Sequence, residues 1–270
     1  MTTEHNIING DCVSELKKIL TNSVEMVLTD PPFNIGKKYN SYKDNRTKNK
    51  YLIWCFAWLD ECVRVMKDGA ALYLINYPEN NAYLMRFLDE RLTFKRWLTW
   101  HYPTNTGMSP TNFTRSQHSI LFYVKGEKSR VFNKEDIAVP YLNPKDKRIM
   151  KLMAEGSKGK VPFDVFATDG IQHTPDLIEE PWDIFEFNIV KNVCKDKTDH
   201  PCQIPVPLLE IFIRASSRPG ETILDPFAGS FSTAAACQRL GRNTINIELD
   251  AKYCEIGKKR LGLTSVIEPV

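Results

Sequence analysis

The chain has 270 residues, 42% apolar and 26% charged, with a net charge of +3 and a pI near 8.4. That length suits one large domain, or a domain carrying a sizeable insertion, and the mild positive charge permits a polyanionic partner. No apolar run approaches the roughly 18 residues of a membrane span and the seven cysteines form no C-x-x-C pair, so the expectation is a cytoplasmic protein with reduced core thiols, no membrane partner and no bound metal.

Strand-like and helix-like runs alternate at both ends of the chain, the pattern of an α/β fold with a mostly parallel, doubly wound sheet. Residues 7–11 read as a short strand closing in a polar turn, 13–20 as a helix, and 24–29 as a buried strand. Residues 37–50 hold six basic residues against one acid and read as a mobile basic loop. A helix is expected over 51–66, with Cys55 and Cys62 on one face; Lys67-Asp68-Gly69 ends it, and 71–75 makes the next strand. After a helix over 80–88, strands over 97–101 and 119–124 form an antiparallel pair at the sheet edge. From Lys125 to Asp199 the period is lost, apart from a basic helix near 145–160, and this stretch reads as an insertion. Regularity returns with helices over 206–216, 230–240 and 253–261 and strands over 222–224 and 244–247.

Two strand ends carry chemistry. Asp30-Pro31-Pro32-Phe33 follows the 24–29 strand. Prolines fix φ and remove backbone donors, so nearby carbonyls act as acceptors only. A carboxylate beside such a carbonyl suits a planar group bearing two N–H donors, and a phenyl ring can stack on its face. A nucleobase amino group fits. Leu224-Asp225-Pro226-Phe227-Ala228-Gly229-Ser230 closes a second strand, and Glu248 closes the next, 23 residues after Asp225. An acid there is placed to accept from both ribose hydroxyls. The glycines do not form G-x-G-x-x-G and no Lys-Ser/Thr follows Gly229, which favours a nucleoside cofactor without phosphates.

These residues together resemble the S-adenosylmethionine-dependent DNA amino methyltransferases, in the circularly permuted arrangement called beta. Asp30-Pro31-Pro32-Phe33 matches the catalytic motif and Asp225 to Ser230 the cofactor loop. Asn246-Ile247-Glu248 matches the ribose-binding acid, Gly10-Asp11-Cys12 the adenine-contacting segment, and His200-Pro201-Cys202-Gln203 the loop near the methionine end. The resemblance covers about 5–125 and 198–262. It implies a Rossmann-like methyltransferase fold with a catalytic half (1–125), a target-recognition insertion (126–198) and a cofactor half (199–270).

It also implies S-adenosylmethionine as cofactor, bound by Asp11, Cys12, Asp30, His200, Pro201, Gln203, Asp225, Phe227, Gly229, Ser230, Glu248 and Leu249. The implied partner is double-stranded DNA in the prokaryotic nucleoid, approached through Lys37, Lys38, Arg46, Lys48 and Arg115. Asp at the first motif position points to adenine-N6, with cytosine-N4 the alternative; a homodimer and a partner restriction endonuclease remain open. Two positions depart from the family pattern. Phe231 sets a side chain where the family has none, which predicts an altered fit at the methionine end and is the one hint of a non-catalytic DNA-binding relative. Ile204 stands where a lysine is usual, removing a charge partner for the cofactor carboxylate.

Overall fold

The computed structural model describes residues 3–37, 39–40, 42–102, 110–166 and 202–263. Chain order is β1 (His5–Asn9), α1 (Cys12–Leu16), β2 (Val24–Thr29), α2 (Lys48–Val65), β3 (Met66–Asn76), α3 (Pro78–Asp89), β4 (Thr93–His101) and β5 (Gln117–Val124). It continues with α4 (Lys147–Ala154), β6 (Val165–Phe166), α5 (Val206–Ser216), β7 (Thr222–Asp225), α6 (Ser232–Arg239), β8 (Asn243–Glu248) and α7 (Ala251–Arg260). The strands form one sheet in the order β1-β8-β7-β2-β3-β5-β4-β6, in which only β5 runs antiparallel to its neighbours.

β2 is buried at every position because both sheet faces are covered. Met26 and Leu28 face the cluster shared with α5 and α6, while Val24 and Val27 face the one shared with α1, α2 and α3. α2 buries Tyr51, Cys55, Trp58, Leu59, Cys62 and Val65, a 3.6-residue stripe. It starts three residues before the expected point and runs directly into β3. Lys67-Asp68-Gly69 therefore does not separate helix from strand. It bulges inside β3, where the register jumps from Val24↔Met66 to Met26↔Ala71 and Gly69 takes a φ of +75°.

The antiparallel pair β4–β5 is one strand in from the edge, because β6 adds to β4 in parallel. The segment after β5 packs on the end of α5 and the turn before β7: Asn133 donates to the carbonyls of Arg214 and Ser217, and Arg130 pairs with Glu221. α4 buries no residue. No helix among the described residues is long and apolar enough to cross a membrane.

β7 and β2 pair in parallel (Met26↔Ile223, Val27↔Leu224), although one opens the late half of the chain and the other belongs to the early half. This is where the strand order reverses, the place at which open α/β sheets bind ligands beyond the strands' carboxyl ends. The parallel register sets the ends of β1, β8, β7 and β2 side by side. Asp11, Glu248, Asp225 and Asp30 thus line one edge, spanning three strand spacings, about 14 Å.

Candidate active site

The catalytic-motif segment leaves β2 as a short elbow whose carbonyls have different fates. Tyr51 Oη donates to the Pro32 carbonyl at 2.9 Å, and Asn80 Nδ2 to the Phe33 carbonyl at 2.8 Å. The Pro31 carbonyl meets no donor among the described residues. Beside it the Asp30 carboxylate takes its own backbone N–H, and no other side chain pairs with it among the described residues. Burial, with the Asp225 carboxylate as the next cause, holds Asp30 well above the usual carboxylate range. The sequence treats these carbonyls as equivalent; packing occupies two and leaves one.

Asp225 is 2% exposed, and burial pushes it up to about 6 against the pull of its hydrogen bonds. Its Oδ1 accepts from Thr29 Oγ1 at 2.9 Å and the Phe227 N–H at 3.1 Å, tying β7 to β2 and fixing the loop. Glu248 Oε2 accepts the Gly229 N–H at 2.8 Å and Oε1 the Asp250 N–H at 2.8 Å, and burial raises its pKa. Each carboxylate oxygen retains a lone pair for a ribose hydroxyl. Gly229 takes a φ of +48°, which suits a residue without Cβ. Ser230 lines the cleft with its hydroxyl on Ser232, 3.0 Å away. Asp11 caps α1 through the Ser14 N–H at 3.0 Å while also lining the cleft, as Cys12 does.

Phe231 corrects the expectation made for it. Its ring is fully buried with Ala228, Ala234 and Leu261, away from the cleft. The backbone achieves this with a φ of +59°, and Gly257 makes the room: a Cβ there would lie 2.5 Å from the ring. The hint of a non-catalytic relative goes with it. Gln203 is buried but does not line the cleft, whereas its neighbours Cys202 and Ile204 do. His200, Pro201 and Lys38 lie outside the described residues. Phe227, Leu249 and Phe33 line the cleft as expected.

The basic loop is more ordered in design than its composition suggests. Buried Asp44 accepts the backbone N–H groups of Asn34 at 2.8 Å and Ile35 at 2.9 Å, folding the segment over the cleft. Tyr39 and Tyr42 reach the cleft wall, with Tyr39 Oη 3.7 Å from Cys202 Sγ. Arg46 lines that wall too, 5.2 Å from the ring of Trp54, which packs on the core and also lines the cleft. Lys48 sits over Tyr83 at 3.6 Å. Arg115 forms an ion pair with Glu79 at 2.6 Å and covers Tyr77 at 3.9 Å. Tyr39, Tyr42 and Trp54 were missed as site residues; the aromatics interleaved with the loop's lysines are the signal that would have found them.

The cleft includes about 1080 Å³ counting its open mouth. Its polar lining is mainly carboxylates, hydroxyls and backbone groups along the strand ends, with Arg46 the one cation among the described residues, on the opposite loop. That set fits a nucleoside cofactor carrying positive charge.

Comparison with known proteins agrees. The profile of the N6/N4 DNA methylase family matches residues 24–259. The DNA adenine methyltransferase YhdJ of Escherichia coli K12 is 30% identical over 259 residues, covering 96% of this chain and 83% of the relative. The type II methyltransferase M.HpaI of Haemophilus parainfluenzae is 30% identical over 260 residues, covering 96% and 74%. The crystal structure of M1.HpyAVI with SAM superposes with a TM-score of 0.64 at 23% identity, covering 95% of this chain and 98% of that one. The chain belongs to the N6/N4 DNA methylase family, the S-adenosylmethionine-dependent amino-methyltransferases of DNA.

Proposed function

We propose that this enzyme methylates the N6 amine of adenine within a specific DNA sequence, in a modification or restriction–modification setting, on a base rotated out of the duplex. The observation that carries it is the pair of acceptors after β2, the Asp30 carboxylate and the Pro31 carbonyl, which stay open to a ligand while the next two carbonyls, of Pro32 and Phe33, are already taken. An exocyclic amine has two N–H groups to give to them. A base inside a duplex cannot reach such a pair, so it must leave the stack.

S-adenosylmethionine supplies an activated methyl on a sulfonium. Asp11, Phe227, Gly229, Glu248 and Leu249 would hold its nucleoside along the strand ends, and the row of acids suits its positive charge. An amine whose lone pair is delocalised into the ring is a poor nucleophile. Accepting both its hydrogens, Asp30 and Pro31 favour a pyramidal nitrogen and fix its direction. Positive charge grows on that nitrogen as the new C–N bond forms, and the Asp30 carboxylate stabilises it. Buried beside Asp225, Asp30 also holds the departing proton better than an exposed carboxylate would. Phe33 stacks on the base, and Lys37, Lys48, Arg46 and Arg115 approach the DNA backbone from the same edge.

Adenine is favoured by the acid at position 30 and by the adenine-methylating relative at 30% identity. Modified-base sequencing of DNA from cells expressing the chain names the base and its site; 4-methylcytosine there would refute the adenine reading. Asp30→Ala is expected to abolish methylation while calorimetric cofactor affinity is retained, and turnover surviving in that variant would remove Asp30 from the chemistry.

A further inference from the structure

Four buried side-chain polar atoms meet no hydrogen-bond partner among the described residues: Trp58 Nε1, Asn81 Oδ1, Asn246 Oδ1 and His118 Nδ1. The first three belong to residues with no exposure, deep in the fold. His118 is different, because it stands at the start of β5 in a ring cluster that reaches the catalytic motif. Its ring centroid is 5.3 Å from Phe33, 5.2 Å from Tyr77, 4.9 Å from Trp100 and 5.0 Å from Tyr102. Arg115, held by Glu79, fixes the outer face of Tyr77. A polar atom buried without a partner lowers stability, and a ring without nitrogens would pack there as well. Among the described residues nothing uses the nitrogen, which leaves it to a ligand entering the ring cluster.

We propose that His118 Nδ1 hydrogen-bonds a ring nitrogen of the extruded base while Asp30 and Pro31 hold its amine. The base would enter where Phe33 and Tyr77 now touch, 4.9 Å between centroids. This rests on the methyl-transfer reading above. The chemistry is complementary. The ring nitrogens flanking the amine, N1 and N7 in adenine or N3 in cytosine, are acceptors. A neutral imidazole offers one N–H donor, here Nδ1–H. Burial, and then Arg115, push the His118 pKa down to about 3, so the ring stays neutral at physiological pH. The surrounding rings supply stacking that is tolerant of any base; His118 adds a polar contact that fixes the position of the base whose amine Asp30 and Pro31 hold.

His118→Phe retains a flat ring and removes both nitrogens. The expected result is a melting temperature equal to or above wild type, unchanged cofactor affinity, and a loss of about 10- to 100-fold in kcat/KM for DNA methylation. A second arm uses oligonucleotides with the target base lacking one ring nitrogen: 1-deaza- or 7-deazaadenine, or 3-deazacytosine if cytosine is the target. Wild type should fall to the variant's level on one of these, and the variant should lose nothing further on that same analogue. Wild-type kinetics in His118→Phe, or equal additional losses in both proteins on every analogue, would overturn the proposal. So would a clear drop in melting temperature, since it would mean that the nitrogen is already satisfied in the folded protein. As an independent arm, His118→Gln, which keeps a donor, should retain part of the activity that His118→Leu loses. A wild-type protein that methylates no DNA sinks the methyl-transfer reading together with this one, whereas an active wild type indifferent to these changes sinks the His118 assignment only.

Discussion

Asp225→Asn separates the shape of a buried acid from its charge. Asp225 is held up to about 6, against 3.8 for a free side chain, chiefly by burial. A folded pKa above the unfolded one means that the native protein keeps its proton longer. Between about pH 4 and 6 the folded state then binds more protons than the unfolded chain, and stability falls as pH rises. At about 1.4 kcal/mol per pH unit, the contribution is about 3 kcal/mol, fully present below pH 4 and lost above pH 6. Asparagine has the same outline, and its Oδ1 still accepts from Thr29 and the Phe227 N–H. Its amide can donate to Thr233 Oγ1 in place of the bond that Thr233 makes to the carboxylate, and any cost of that reversal is the same at every pH. The readout is therefore the pH dependence of the stability difference. In urea unfolding from pH 4 to 7.5, the variant should gain on wild type by about 3 kcal/mol across the series. Loss of the Asp225 charge also lowers the Asp30 pKa, so the acidic limb of the methylation profile should move to lower pH. A stability difference that stays flat across that series refutes the buried-charge argument.

Glu248→Gln should raise the cofactor dissociation constant by about 10-fold or more, since charge-assisted hydrogen bonds are worth roughly 1.5–3 kcal/mol; unchanged affinity in calorimetry would take Glu248 out of the nucleoside site. Gly257→Ala forces a methyl against the Phe231 ring and should cost about 1–3 kcal/mol by overpacking. Phe231→Leu in the same chain should recover part of that loss, and strictly additive melting temperatures would contradict the contact.

The strand ends were readable in the sequence because their signals are local. A β-branched or apolar run, then Asp-Pro-Pro or Asp-Pro-Phe, specifies a strand and its turn within a few residues. What depends on distant partners was not readable. β6 is two residues long and exists through pairing with Thr99 and Trp100. The direction of Phe231 is decided by Gly257, on a different helix. Asp44 looks like one acid among lysines, yet it is buried and takes three backbone N–H groups, of Asn34, Ile35 and Lys37, which turns a stretch read as mobile into a built wall. Trp54 and His118 have ordinary core spacing; only the surroundings of their rings separate them from Trp58 or Trp97.

Local rules are broken in this fold mainly where ligands are expected. Among the described residues three that are not glycine take positive φ, Asn22, Asn34 and Phe231, and two of these directly follow the catalytic and cofactor motifs. Each of the two is held from elsewhere: Asn34 by Asp44 and by the backbone of Arg46, Phe231 by the space at Gly257. Asp30, Asp225 and Glu248, adjacent along the strand ends, are all raised by burial. None of this favours folding, and such strain persists only where surrounding structure over-determines it. A row of half-desolvated acids is costly in the free protein and becomes favourable once a cation lies along it. The same placement that weakens the empty fold above pH 6 therefore makes the edge selective for a sulfonium nucleoside over a neutral one, and cofactor binding should stabilise the protein more at pH 8 than at pH 5.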